Sequence, residues 1–213
     1  MPQPPPTAAL TRAERKQKTR RALMDGALEL LETRSFDSLG LREVTRSAGI
    51  APAAFYRHFE SMEQLGLALI DESFEEMRAM LREARLNPER FERVIRASVE
   101  ILVRHVRARR SHFSFIVRER FSGIPVLRDR IRGEIRLISS ELATDLSRFP
   151  GLGGWPTADL QLLAGVLVNT MVVAVEEIVL TPAEQAPREE TELATAERQL
   201  LLIALGSTVW RPR

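Results

Sequence analysis

Apolar residues recur at intervals of three and four along almost the whole chain, and no segment alternates apolar and polar residues as a half-buried strand does. This spacing predicts an all-α protein of about nine helices. Prolines and glycines fall between the apolar runs and mark the ends of the helices. The predicted helices cover residues 11–34, 41–48, 52–59, 61–87, 89–106, 111–121, 126–149, 157–180 and 188–210.

The second and third predicted helices are short and lie close together. Leu41, Val44 and Ala48 fall on one apolar face of the second helix. Gly49 follows where a residue with left-handed backbone commonly ends a helix. Pro52 suits the first turn of the third helix, because its missing N–H leaves no helical hydrogen bond unmade. Two short helices joined by such a turn are typical of a helix-turn-helix, whose second helix can enter a DNA major groove.

Charge is concentrated near the amino terminus. The net charge of the 213 residues is only +2, but residues 1–58 contain ten Lys/Arg and six Asp/Glu, a net charge of +4. Six of those cations lie within residues 11–21, where the form Thr11-Arg-Ala-Glu14 also predicts a capping box at the start of the first helix. A basic end on a nearly neutral body indicates a nucleic-acid partner.

Other compositional features restrict the possible chemistry. The chain has no cysteine and three scattered histidines, so we expect no disulfide, no metal site and no cofactor. Residues 1–10 are rich in proline and lack the features of a signal peptide, so we expect a disordered leader. The uncharged stretch at residues 161–175 falls short of the roughly 18 apolar residues that a membrane span needs. We therefore expect a cytoplasmic protein with no membrane partner.

The third helix carries residue types that contact DNA. Phe55 and Phe59 are spaced to pack inward as core, which leaves the other side chains to face outward. A tyrosine hydroxyl can bond a phosphate, an arginine can bond phosphate or guanine, and alanine methyl groups allow close approach and can contact thymine methyls. The alternative is that these are ordinary solvated residues beside a small helical core. The candidate DNA-binding residues are Lys18, Arg20, Arg42, Ala53, Ala54, Tyr56, Arg57 and His58.

Residues 12–75 resemble the N-terminal domain of TetR-family transcriptional regulators. The matching segments are Lys18-Thr-Arg-Arg21, Leu41-Arg-Glu-Val44, Ala48-Gly-Ile50 and Phe55-Tyr-Arg-His-Phe59. More narrowly, the sequence is similar to the FabR and DesT regulators of unsaturated fatty-acid synthesis and fatty-acid desaturation. That similarity is carried by Ser35-Phe, Ser38-Leu, Leu41-Arg-Glu-Val44, Ala48-Gly-Ile-Ala-Pro52, Phe55-Tyr-Arg-His-Phe59, Leu65-Gly-Leu67 and Asp71-Glu-Ser73.

Four positions depart from the family pattern. Ala51 stands where many members have a serine or threonine cap, and Met62 stands where many have a lysine that contacts phosphate. Ala53 and Ala54 replace a common Gly-Thr pair. Base-reading roles are therefore not transferred to these positions. The main DNA contacts are expected at Arg42, Tyr56, Arg57 and His58, and the basic stretch Lys16–Arg21 is expected to support them.

The resemblance also implies a domain plan and partners. It implies a DNA-binding domain at residues 11–72 and a ligand-binding and dimerisation domain at residues 73–213. In the family the last two helices form a four-helix interface between subunits, and the apolar helix 157–180 is compatible with that or with burial inside one subunit. A homodimer would bind a palindromic operator. The ligand class implied is a long-chain acyl-CoA.

The segment Arg104–Arg136 is the candidate ligand site. It contains ten arginines, which could pair with phosphates, and several aromatic residues, which could line an apolar tunnel. The alternative is a solvated arginine face balanced by acidic residues of 71–83, with the phenylalanines in the core. The candidate ligand-binding residues are Phe113, Phe115, Ile116, Arg118 and Phe121.

The most favoured function is therefore a DNA-binding repressor of fatty-acid desaturation or unsaturated fatty-acid synthesis genes that responds to long-chain acyl-CoA. One alternative is a TetR-type repressor that responds to another hydrophobic ligand such as a drug. We expect that the protein is not an enzyme. An all-α enzyme acting on acyl-CoA would need catalytic groups, and the sequence shows no recognisable motif that contains them. Its only conceivable acid–base groups are His105, His112, Glu119 and Glu176-Glu177. A non-specific nucleic-acid scaffold would bind DNA without sequence preference.

Overall fold

The computed structural model describes residues 11–84, 91–181 and 186–211, and within them it contains nine α-helices, one 3-10 turn and no strand. The all-α prediction is therefore confirmed. The leader at 1–10 and the predicted break near Asn87-Pro88 lie outside the described residues. The helices are α1 (Arg12–Leu31), α2 (Leu41–Ser47), α3 (Pro52–Phe55), α4 (Met62–Ala84), α5 (Phe91–Ala108), α6 (Arg110–Glu119), α7 (Pro125–Leu146), α8 (Thr157–Leu180) and α9 (Ala186–Val209), and the 3-10 turn η1 (Phe36–Ser38) follows α1.

Helix ends agree with the sequence signals at one helix and differ at another. At the start of α1 the Thr11 N–H donates to the Glu14 carboxylate (2.7 Å), and the Glu14 N–H donates to the Thr11 hydroxyl (3.2 Å). This is the predicted capping box. At α8 a threonine at the start of the predicted helix, Thr157, suggests a cap, but the N-cap is Pro156 and makes no side-chain cap. Thr157 is already the first helical residue, where its side chain does not serve the cap position.

The two predicted domains, residues 11–72 and 73–213, share one continuous hydrophobic core. Leu23, Phe55, Phe59 and Leu65 are fully buried among α1–α4, and the same cluster includes Phe115 of α6. Leu127 and Ile131 of α7 also belong to this cluster. Helix α4 continues across residue 72 without a break, so no linker separates the proposed domains. A second core cluster joins α5, α6, α8 and α9.

Helix α8 is the one helix in the described ranges that is long and apolar enough to cross a membrane, judged by length and composition alone. The helix covers Thr157–Leu180, as predicted, and therefore extends beyond the uncharged stretch 161–175 at both ends. Its inner face, including Ala164, Val168 and Ile178, is buried against α5, α6, α7 and α9. A helix of a soluble core passes the same test.

The outer faces of α8 and α9 carry exposed apolar side chains. The indole N–H of Trp210, just after α9, donates to Asp159 near the start of α8 (2.9 Å), so the two helices run antiparallel. The exposed residues recur at three- to seven-residue intervals, which places them on one face of each helix. They are Leu162, Val166, Val173 and Leu180 on α8 and Leu202, Leu205 and Val209 on α9, followed by Trp210. We call these residues the α8–α9 stripe.

A buried polar cluster joins α1, α4 and α6. His112 of α6 is 4% exposed, and its Nδ1 lies 3.1 Å from the Ser73 hydroxyl. Its Nε2 lies 3.7 Å from Glu72, which also pairs with Arg21 of α1. Burial lowers the pKa of His112 below its ordinary value, and Arg109 and Arg21 lower it further against the opposing effect of Glu72 and Glu76.

We expect His112 to make folding stability depend on pH. The folded protein binds a proton at this ring less readily than the unfolded chain does, whose pKa is about 6.5, so stability falls as the pH decreases through that value. His112→Asn should reduce the loss of unfolding free energy between about pH 8 and pH 5.5 in denaturant titrations. His58, whose pKa is also lowered, keeps part of the dependence in the variant. An unchanged loss in His112→Asn would contradict the assignment.

Candidate nucleic-acid interface and ligand cavity

Backbone geometry between α2 and α3 forms the predicted helix-turn-helix. The Gly40 N–H donates to Glu43 (3.0 Å) at the start of α2; glycine has no side chain, so only this half of a capping box exists. Gly49 has φ of +66°, and the Ile50 N–H donates to the Thr45 carbonyl (2.8 Å) to close the turn. A positive φ is cheap only for glycine, so this residue type fixes where the chain turns.

Helix α3 is shorter than the sequence spacing predicts. The prediction of 52–59 is wrong because regular helix ends at Phe55 and Tyr56 is its C-cap. The Arg57 N–H donates to the Ala54 carbonyl (3.2 Å) and the His58 N–H to the Phe55 carbonyl (2.8 Å). These bonds span three residues and tighten the turn. Phe55 and Phe59 are nevertheless both buried, with ring centroids 5.7 Å apart, as their spacing predicts.

Several candidate DNA-binding residues face solvent together with uncompensated positive charge. Ala53, Arg57 and Arg42 are exposed, Ala54 is half-buried, and Tyr56 is 64% exposed. In the part of the chain that the structure describes, no carboxylate pairs with Lys18, Arg42 or Arg57. Other arginines of the same region are neutralised, such as Arg34 by Glu43 at 2.8 Å. The exposed cations are therefore available for phosphate oxygens.

Arg20 and His58 are candidate DNA-binding residues, but the structure shows both engaged with the protein itself. The Arg20 guanidinium donates to the His58 carbonyl (3.2 Å) and lies 4.3 Å from the Phe59 ring centroid, so it holds α1 against the end of the helix-turn-helix. The Nδ1 atom of His58 is buried and has no hydrogen-bond partner. Burial lowers the pKa of His58, and Lys16, Arg20 and Arg57 lower it further. These effects favour the neutral form of the imidazole over its cation.

Arg46 is a candidate DNA contact that the sequence analysis missed. It lies four residues after Arg42 on α2 and is exposed. Residues four apart share a helix face, so the spacing alone could have identified it. The two arginines extend the positive surface beside α3.

A largely apolar cavity of about 570 Å³ lies among α4–α8, with Leu200 of α9 also in its wall. It runs beside α7 from Ile135 to Leu146, about 17 Å at the helical rise per residue. The polar residues of its lining are Ser98, Arg120, Asp145 and Arg148. The apolar lining includes Phe74, Met77, Leu81, Val94, Leu102, Phe113, Ile116, Ile138, Leu142, Leu167, Met171, Val172 and Val175.

Only two of the five candidate ligand residues lie in this wall. Phe113 and Ile116 line the cavity. Phe115 packs on Phe36 with centroids 6.1 Å apart, in the core shared with α1–α4. Phe121 is 71% exposed beneath Arg120, whose guanidinium lies 4.6 Å from the ring centroid. The ligand-binding roles of the five residues stay a prediction, and α6 turns Phe113 and Ile116 towards the cavity and Phe115 away from it.

Arg118 also lies away from the cavity. Its guanidinium donates to the carbonyls of Leu31 (3.0 Å), Glu32 (2.8 Å) and Arg34 (3.4 Å) at the end of α1. Other arginines of 104–136 likewise bond to groups of the protein itself. Arg110 bonds carbonyls at the end of α8, Arg120 pairs with Glu176, and Arg130 pairs with Asp71. The segment is therefore mainly structural, and Arg120 is its one arginine in the cavity lining.

Three of the candidate acid–base groups make contacts within the protein. Glu119 accepts from the Phe36 N–H (2.9 Å), His112 contacts Ser73, and Glu176 pairs with Arg120. Within residues 11–84, 91–181 and 186–211, no group of three His, Asp or Glu side chains is arranged to hold a metal ion.

Comparison with known proteins agrees with this geometry. Residues 23–69 match the family model of bacterial regulatory proteins, tetR family. This segment contains the helix-turn-helix. Over residues 23–69 the chain is therefore similar to bacterial regulatory proteins of the tetR family.

Solved structures extend the likeness over most of the chain. The fatty acid degradation regulator FadR from Bacillus halodurans has a TM-score of 0.69 at 14% identity, covering 92% of this chain and 97% of that one. FadR from Bacillus subtilis in complex with stearoyl-CoA has a TM-score of 0.67 at 13% identity, with coverages of 86% and 96%. A TetR-family regulator from Streptomyces coelicolor has a TM-score of 0.65 at 22% identity, with coverages of 88% and 96%. At these low identities, the TM-scores show a shared fold.

Proposed function

We propose that this protein is a homodimeric repressor of fatty-acid desaturation or unsaturated fatty-acid synthesis genes, and that a long-chain acyl-CoA in the cavity alters its affinity for a palindromic operator. The cavity of about 570 Å³ carries the proposal, because it is elongated and apolar with few polar groups. An acyl chain suits that shape, since each buried methylene contributes about 0.8 kcal/mol. A FadR of the same fold was solved with stearoyl-CoA, which supports this ligand class. The FabR/DesT resemblance supports the gene class.

One end of the cavity suits the polar part of such a ligand. Arg148 lies in the lining just after α7, and its side chain is 76% exposed. Arginine pairs well with phosphate oxygens. We place the phosphorylated head beside Arg148 and the acyl chain along α7 towards Phe74. The apolar side chains of the lining would then surround the acyl chain.

The α8–α9 stripe supports the dimer. Rows of exposed apolar side chains on two packed helices are expected to be covered by a partner. A second copy of the same stripe would cover it in a two-fold arrangement, as a palindromic operator requires.

We expect the exposed residues of α3 and its following turn to bind DNA. Arg57→Ala should weaken binding by about 1–3 kcal/mol, and Tyr56→Phe should weaken it through loss of one hydroxyl contact. The measurement is fluorescence anisotropy on a duplex that the wild-type protein selects from a random-sequence library. Circular dichroism melting provides the control, because neither side chain is part of the core. Wild-type affinity in both variants would refute the assignment.

Native mass spectrometry of the purified protein tests the dimer and the ligand together. The expected spectrum shows a dimer carrying mass that corresponds to acyl-CoA, or binding acyl-CoA on addition of palmitoyl-CoA. Binding of apolar drugs with no binding of palmitoyl-CoA would favour the alternative repressor. Conversion of palmitoyl-CoA to free CoA would instead indicate an enzyme.

A further inference from the structure

The carboxyl end of α6 is bonded directly to the backbone that follows α1. The last carbonyl groups of an α-helix lack partners within the helix, and a cation is favourable there. Arg118 supplies hydrogen-bond donors and a positive charge at this helix end, because its guanidinium donates to the carbonyls of Leu31, Glu32 and Arg34. These bonds cross from the ligand-binding part of the chain to the DNA-binding part.

Glu119, the residue after Arg118, provides a hydrogen-bond acceptor beside the Arg118 donor. It is 3% exposed, and its carboxylate accepts the Phe36 N–H at 2.9 Å. The Phe36 ring also packs on Phe115 of the same helix. Consecutive residues of α6 therefore bind the backbone of the segment 31–36 through both its carbonyl and its N–H groups.

The same backbone segment is tied to the helix-turn-helix on its other side. Arg34 donates to Glu43 in the first turn of α2 (2.8 Å) and also bonds Ser38. Glu43 in turn accepts the Gly40 N–H at the start of α2. A displacement of residues 31–36 is thus passed to α2 through charge-assisted hydrogen bonds.

The opposite face of α6 belongs to the cavity. Phe113, Ile116, Val117 and Arg120 line it, so the helix touches the ligand space on one face and the DNA-binding part on the other. A ten-residue helix moves as a rigid unit, and packed elements of this kind carry energetic coupling between sites.

We propose that the Arg118–Glu119 pair is a positioning element that transmits occupancy of the cavity to the helix-turn-helix through residues 31–36. This inference rests on the proposed ligand response. A ligand that displaces α6 moves the backbone to which the pair is bonded, which changes the orientation of α2 and its neighbour α3.

The test compares two arginines of the same helix. Arg118→Gln removes the bonds to the end of α1, whereas Arg110→Gln removes matching bonds from the carbonyls of Ile178 (3.3 Å), Val179 (2.7 Å) and Thr181 (3.0 Å) at the end of α8. Both variants lose three arginine–carbonyl bonds, so a purely structural role predicts similar effects. Thermal melting measures the shared loss of stability.

The deciding measurement is affinity for the selected duplex with and without palmitoyl-CoA. The wild-type ligand effect should be about 5- to 150-fold. Arg118→Gln should reduce that factor by roughly 2- to 30-fold, while Arg110→Gln retains it. Arg118→Lys, which keeps the charge and part of the bonding, should give an intermediate factor. An unchanged factor in Arg118→Gln, or equal reductions in both glutamine variants, would overturn the proposal.

Hydrogen exchange separates this proposal from the ligand assignment. If palmitoyl-CoA leaves the DNA affinity of the wild-type protein unchanged, the proposed acyl-CoA response is wrong. The role of the Arg118–Glu119 pair is then tested by hydrogen exchange of the ligand-free protein. Faster exchange in peptides covering residues 29–47 of Arg118→Gln, but not of Arg110→Gln, would support the positioning role. Equal exchange in the two variants would overturn it.

Discussion

Leu205→Glu is expected to disrupt the proposed dimer and leave the protein monomeric. Leu205 is 60% exposed on α9 within the α8–α9 stripe, so a charge there is tolerated by the isolated subunit. In a dimer the carboxylate would be buried among apolar side chains without a partner, which is strongly unfavourable. Operator affinity should fall by roughly 10²- to 10⁴-fold, because the two DNA-binding domains would no longer be linked when they bind the two half-sites.

The matched control is Leu137→Glu. Leu137 is 47% exposed on α7, outside the stripe, so the same substitution should leave the oligomeric state and operator affinity unchanged. Sedimentation equilibrium measures the mass of each variant, and anisotropy measures its DNA affinity. A dimeric Leu205→Glu protein would show that the stripe is not the subunit interface.

Ser98→Phe should abolish most of the acyl-CoA affinity without unfolding the protein. Ser98 is a half-buried polar residue in the cavity lining on α5, and a benzyl group placed there occupies space that the acyl chain would use. Excluding about four methylenes costs about 3 kcal/mol, or roughly a hundredfold in affinity. Filling an apolar cavity commonly maintains or raises stability.

The neighbouring residue provides the control for this substitution. Ala97 is exposed, so Ala97→Phe adds the same ring outside the cavity and should leave binding unchanged. Isothermal titration with palmitoyl-CoA gives both affinities, and thermal melting tests the folded state. Wild-type affinity in Ser98→Phe would exclude this cavity as the acyl site.

The two faces of α6 show where sequence reasoning stopped. The sequence shows Phe113, Phe115, Ile116, Arg118 and Phe121 as one arginine-rich aromatic segment. The structure places Phe113 and Ile116 in the cavity and Phe115 and Arg118 against the DNA-binding part, and it exposes Phe121. Helical spacing says which residues share a face, but it does not say which neighbour that face meets.

Local physics explains what the sequence determined by itself. The capping box at Thr11, the turn at Gly49 and the burial of Phe55 and Phe59 depend on residues within a few positions of one another, so their spacing was sufficient. The all-α class, the helix-turn-helix and its exposed residues Arg42, Tyr56 and Arg57 followed from the same short-range patterns.

Only the tertiary structure decided which side chains meet across long separations. Arg118 lies 87 residues from Leu31, and Glu119 lies 83 residues from Phe36, yet hydrogen bonds join both pairs. The cavity likewise needs walls from helices far apart in the chain. Such contacts depend on how helices pack, and an isolated helical pattern leaves that choice open because several neighbours could bury the same face.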